Sequence, residues 1–120
     1  MRLARREPHR MPQEAMENST RKQLKQIAHH LDPVIIVGEQ GISESLIAET
    51  QRALSDHELI KVKIQAEERE TRRAMGQQLA EACEAEVVQT IGKITVLFRR
   101  NPEPNRRLSN LSRFGATVKP

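Results

Sequence analysis

Apolar positions along the chain recur with two periods and predict seven elements in the order αβαβαββ. Leu24, Ile27, Ala28 and Leu31 follow helical spacing. A helix is therefore expected from Ser19 or Thr20, either of which can cap it, to about His30. Asp32-Pro33 ends it, because a residue before proline is pushed out of the helical region. Val34 to Val37 is a short unbroken apolar run, as expected of a strand covered on both faces. Ser43 is a candidate cap for a second helix that buries Leu46, Ile47, Thr50, Ala53 and Leu54 and ends near Asp56-His57. In Glu58 to Ile64, Ile60, Val62 and Ile64 alternate with Lys61 and Lys63, which predicts a strand with one buried face and two ammonium groups on the other. A third helix from about Arg69 to Cys83 turns Met75, Leu79, Ala82 and Cys83 inward, slightly weakened by Gly76. Glu86 to Ile91 and Ile94 to Phe98 flank Gly92-Lys93, and glycine first in a two-residue loop suits a type II′ hairpin. With such short connections the expected class is α/β: one domain whose four-stranded mixed sheet is covered by helices.

The junction of first strand and second helix carries the candidate chemistry. Gly38-Glu39-Gln40-Gly41 is a GxxG turn, and glycines at both of its ends let the backbone approach a ligand closely. Amides of Gln40, Gly41 and Ile42 near a helix N-terminus are suited to a phosphate. Four residues do not make a site, and the same turn also serves as a plain strand-to-helix connection. On the first helix, Arg21, Lys22, Lys25 and His29 fall within one arc beside the apolar stripe. That arc is the best basic face of the folded part, or else an ordinary solvated helix surface.

Charge sharpens this picture. The 120 residues carry 20 Lys plus Arg against 16 Asp plus Glu, with a pI near 9.7, which favours a polyanionic partner. The excess is uneven: residues 1–18 hold four basic and three acidic groups, 19–98 ten and twelve, and 99–120 six and one. A nucleic-acid contact by the folded part must therefore use a local basic face. Residues 1–18 and 101–120 are poor in apolar content and are expected to be flexible extensions around a domain at 19–100. Arg99 and Arg100 at the end of the domain, with Arg106 and Arg107 beyond it, give residues 99–120 a basic character, either as an arm that contacts a polyanion or as a solubilising spacer. Cys83 is the only cysteine, so neither a disulfide framework nor a cysteine-rich zinc site is expected. No run of 18 apolar residues or secretory signal occurs, and a cytoplasmic location is expected.

Four separated segments together resemble a known family. The GxxG turn, His57 to Ile64 (HELIKVKI), Glu68-Arg69-Glu70-Thr71, and Ile91 to Arg100 (IGKITVLFRR) are similar to the CRM domain, named for chloroplast RNA splicing and ribosome maturation, in its stand-alone bacterial form. The resemblance spans about Ser19 to Arg100. It implies a fold like the C-terminal domain of translation initiation factor 3, a loop comparable to that of KH domains, RNA binding, and association with precursors of the large ribosomal subunit. Gly38 and Gly41 match the family's glycines, and Arg21, Lys22 and Lys25 lie where the family has basic residues. Glu39 departs from what a phosphate loop wants, since its carboxylate repels the ligand.

The resulting RNA-binding candidates are Arg21, Lys22, Lys25, Gly38, Glu39, Gln40, Gly41, Ile42, Lys61, Lys63, Arg99 and Arg100. The expected partners are ribosomal RNA and pre-ribosomal large-subunit particles, with no cofactor, metal, membrane or small-molecule substrate. Lacking Trp and Tyr, and with only Phe98 and Phe114, the chain has no aromatic platform for stacking bases. Recognition of RNA shape and backbone is therefore expected. An enzyme is disfavoured. Adjacent His29 and His30 diverge by about 100° on a helix, which with Asp32 makes a poor metal site, and His57-Glu58, Cys83 and the short glycine turn match no catalytic or P-loop pattern. The competing readings are a protein-binding adaptor on ribosomal particles and a binder of other small structured RNAs.

Overall fold

A computed structural model of the chain describes residues 16–115. The elements are α1 (Asn18–Ala28), β1 (Pro33–Val37), α2 (Glu44–His57), β2 (Leu59–Ile64), α3 (Arg69–Ala82), β3 (Glu86–Ile91), β4 (Ile94–Phe98) and a last short helix, α4 (Asn110–Arg113). The four strands form one mixed sheet in the order β1-β2-β4-β3, with β1 parallel to β2 and the other pairs antiparallel. The expected α/β class and the αβαβαββ order hold, and α4 is an addition.

Two cores flank the sheet. On one face α2 and α3 pack on Ile35, Val37, Ile60, Val62, Ile64 and Leu97, through Leu54, Leu79, Ala80 and Cys83. On the other, α1 and α4 cover Leu59, Val88, Val96 and Phe98 with Leu24, Ile27, Ala28 and Leu111. The alternation in β2 explains how one strand serves both. Ile60, Val62 and Ile64 face the first core, while Leu59 and the half-exposed Lys61 and Lys63 point to the α1 side.

Caps and glycines fix the connections. Ser43 caps α2, its Oγ accepting from the Leu46 amide at 3.1 Å, as expected. For α1 the expected caps fail: the N-cap is Glu17 without a side-chain bond, and Ser19 and Thr20 lie inside the first turn. Gly92 has φ +58°, the left-handed value a primed two-residue turn requires. In α3 the buried positions are Gly76, Leu79, Ala80 and Cys83, one stripe of spacing 3, 1 and 3, which leaves Ala82 exposed and not inward. Gly76 is more than a weak helix residue. A Cβ there would meet the Thr95 side chain at 3.2 Å, so its absence lets α3 lie close on β4.

Two expectations are corrected. β1 is not covered on both faces: Val34 and Ile36 are 48% and 57% exposed. The reason is topological, because β1 is an edge strand and α1 lies over β2 and β3. Nor does the chain become a loose tail at 101. The buried Glu58 carboxylate accepts from the Asn101 amide and from Ser109 Oγ, each at 2.6 Å, and Asn110 Nδ2 donates to the Leu59 carbonyl at 2.6 Å. Ser109 then caps α4, and Leu111 enters the second core. These anchors are mostly polar, so a count of apolar residues does not see them. Of the extensions expected at 1–18 and 101–120, residues 1–15 and 116–120 lie outside the described residues; among the described residues, no helix is long and apolar enough to cross a membrane.

Candidate nucleic-acid interface

The glycine turn stands beyond the end of β1. The Gly41 amide donates to the Gly38 carbonyl at 3.1 Å, closing the turn, and Gly41 holds φ +82°. This bond removes one of the three amides expected to cradle a phosphate. Those of Gln40 and Ile42 make no hydrogen bond among the described residues. Glu39 and Gln40 are exposed at the tip, and Gln40 Oε1 lies 3.4 Å from where a Gly38 Cβ would sit. Helix α2 begins only at Glu44, after its Ser43 cap, so the turn precedes the helix by a short extended stretch.

Below the turn lies the open part of the sheet. The pairings Ile36↔Lys63, Lys63↔Ile94 and Ile94↔Ile91 place these four residues in one row across the α1 side of the sheet. Ile91, at the far end, is 61% exposed. Between this row and α1 runs a groove of about 440 Å³, rimmed by Lys22, Lys25 and His29 from the helix and by Lys61 from β2. The structure thus brings together Lys22, Lys25 and Lys61, with Lys63 one row further and the glycine turn at the end of the neighbouring strand.

Three other expected site residues are occupied elsewhere. Arg21 donates from Nη1 to the carbonyls of Val87 and Val88, at 3.2 and 2.8 Å. Those carbonyls sit at the register shift between Val87 and Gln89, so the guanidinium fastens α1 to an irregular point of β3. Arg99 donates to the carbonyls of Cys83 and Gln51, at 2.9 and 3.1 Å, and to Ser55 Oγ at 2.9 Å. It follows Phe98, which pairs with Leu59, whereas the turn follows Val37, which pairs with Ile64. The two therefore lie at opposite ends of the sheet, about 16 Å apart along β2. Arg100 is half-exposed beside Arg99 and has partners of its own.

A second basic cleft, not foreseen from the sequence, opens on the α3 side of the hairpin. Arg69, Arg72 and Arg73 line about 510 Å³ together with Thr90 and Gly92. Arg72 is fixed by donating to the carbonyls of Gly92, Ala66 and Glu67, while Arg69 and Arg73 are exposed. Their spacing of 3 and 4 residues is the signal that marks one helix edge; the alternation with Glu67, Glu68 and Glu70 hides it.

Two ionisable groups are perturbed. Burial pushes the Glu86 carboxyl up, against the pull of nearby Arg21. Burial likewise pushes the Cys83 thiol up, opposed by Arg99, which leaves less reactive thiolate at neutral pH. Of the residues considered for catalysis, Glu58 is bound as above, His30 stacks on Phe114 at 6.0 Å, and His57 Nδ1 bonds to the Leu108 carbonyl at 2.9 Å. Among the described residues no group of three His, Cys, Asp or Glu could hold a metal ion.

Fold and surface together define a class: small α/β domains with a mixed four-stranded sheet, a glycine turn at one strand end, and lysines around a partly open sheet face. The chain belongs to the CRS1 / YhbY (CRM) domain family, whose description matches residues 16–99. Among its relatives is the Pseudomonas aeruginosa protein named "Probable RNA-binding protein PA4753", 50% identical over 100 residues that cover 83% of this chain and 96% of the relative. A protein of Haemophilus influenzae named "RNA-binding protein" is 44% identical over 85 residues, covering 71% and 86%. In structure, the chain is similar to the hypothetical protein SAV1595 of Staphylococcus aureus, solved in solution, with a TM-score of 0.66 and 31% identity over 73% of this chain and 92% of that one.

Proposed function

We propose that this chain is an RNA-binding protein that binds precursor large-subunit ribosomal RNA during ribosome assembly, in the cytoplasm. The observation that carries the reading is the convergence of Lys22, Lys25 and Lys61 on one groove beside a strand that ends in the glycine turn. Membership of the CRM family and relatives named as RNA-binding proteins support RNA as the partner. In this reading the backbone of Gly38 to Ile42 approaches a phosphate through the Gln40 and Ile42 amides, and Lys22, Lys25, Lys61 and Lys63 supply counter-charge. Arg21 and Arg99 contribute by holding the elements in place. The work is positioning, not reaction. Sedimentation of the chain in a lysate gradient tests the assembly role. Co-migration with large-subunit precursors at low salt, stripped by a high-salt wash, is expected. A chain that stays at the top of the gradient at low salt contradicts the ribosomal target and directs the search to small structured RNAs.

A further inference from the structure

We infer that the groove between α1 and the open sheet face receives an unpaired nucleobase of the bound RNA, an inference that rests on the RNA-binding reading above. Four observations point to this occupant. First, the groove exposes apolar surface: Ile91 is 61% exposed and pairs with the half-buried Ile94, and Lys63, next in the row, adds a cation between Ile94 and the 57% exposed Ile36. An apolar surface left open in this way is where a partner docks. Second, the groove's charged lining is cationic, with Lys22, Lys25 and Lys61 and no carboxylate, so the occupant is an anion. Third, its floor offers aliphatic Ile91 and Ile94 beside the Gln89 amide, which can both donate to and accept from a base edge. Fourth, a space of about 440 Å³ falls within the range of sites that take a small ligand.

A nucleotide satisfies all four. Its phosphate meets the lysine rim, its base lies on Ile91 and Ile94, and its edge faces Gln89. With no Phe, Trp or Tyr lining the groove, the platform for the base is aliphatic. The protein then prefers RNA that offers an unpaired base over an unbroken duplex, so recognition goes beyond backbone shape.

The test measures binding of the full chain to three RNA hairpins: one fully paired, one with a two-nucleotide bulge, and one with the same bulge made abasic. The bulged hairpin should bind about tenfold more tightly than the paired one, the scale of one base contact. The abasic bulge should return to the paired value, and Gln89→Ala combined with Ile91→Ser should erase the preference. Equal binding of all three hairpins overturns the inference while leaving RNA binding intact. A preference that survives the double substitution also overturns it, because the base is then read elsewhere on the chain. So does a chain that sediments as a dimer and is dissociated by Ile91→Ser. Failure to bind any hairpin removes the inference together with the reading beneath it.

Discussion

The two glycines of the turn do different jobs, and single substitutions separate them. Gly41 holds φ +82° and sits 3.5 Å from Met75 Cε at its missing Cβ, so Gly41→Ala strains the backbone at a cost of about 1–2 kcal/mol. Gly38 has no such φ, and an added methyl meets only the flexible end of Gln40 at 3.4 Å. Gly38→Ala should therefore leave the unfolding midpoint in urea nearly unchanged and lower RNA affinity if the backbone approaches phosphate there. Unchanged affinity would show that the turn is only a connection. Glu86 makes a second residue-level prediction. Its folded carboxyl titrates above its unfolded value, so its stabilising share is present below about pH 4.3 and lost as pH rises through the folded value. Glu86→Gln should raise Tm at pH 7, with the gain fading towards pH 4. A lower Tm at pH 7 would mean that the attraction of Arg21 outweighs burial.

At the scale of elements, the segment after β4 is held by several anchors, of which one buried carboxylate takes two. Glu58 keeps φ +62°, a conformation costly for a side chain of this kind, while accepting from Asn101 and Ser109. Glu58→Ala leaves both donors unpaired and should cost about 3 kcal/mol. It should also remove hydrogen-exchange protection from the Asn101 and Leu111 amides before the sheet loses any. Simultaneous loss throughout would contradict a separately anchored segment. This is also where the sequence was least legible. The αβαβαββ order was readable because alternation in Ile60 to Ile64 and the helical spacing of Leu24, Ile27 and Ala28 are local. The fold of residues 101–115 depends on contacts to Glu58 and Leu59 about 50 positions away, which no local period reports. The same limit affected the site. Lys22, Lys25 and Lys61 were legible as cations on exposed faces, but the diversion of Arg21 and Arg99 to backbone carbonyls depends on tertiary geometry.

For the whole molecule, a formal net charge of +4 is a weak guide, because six basic groups against one acidic group fall in residues 99–120. What distinguishes the surface is placement: lysines from α1 and β2 meet around an apolar groove on the sheet face that α1 leaves partly open. The proposed interface consequently depends on a local field, which salt screens and which two substitutions can invert. The most direct test is the salt dependence of equilibrium binding to precursor large-subunit ribosomal RNA, for the native chain and for Lys22→Glu combined with Lys25→Glu. If about six phosphates are neutralised, log affinity should fall against log salt with a slope of roughly −4 to −5, and the double substitution should weaken binding and flatten the slope by about 1.5. Nearly salt-independent binding, or a variant with the native slope and affinity, would contradict the placement of the RNA interface on this face.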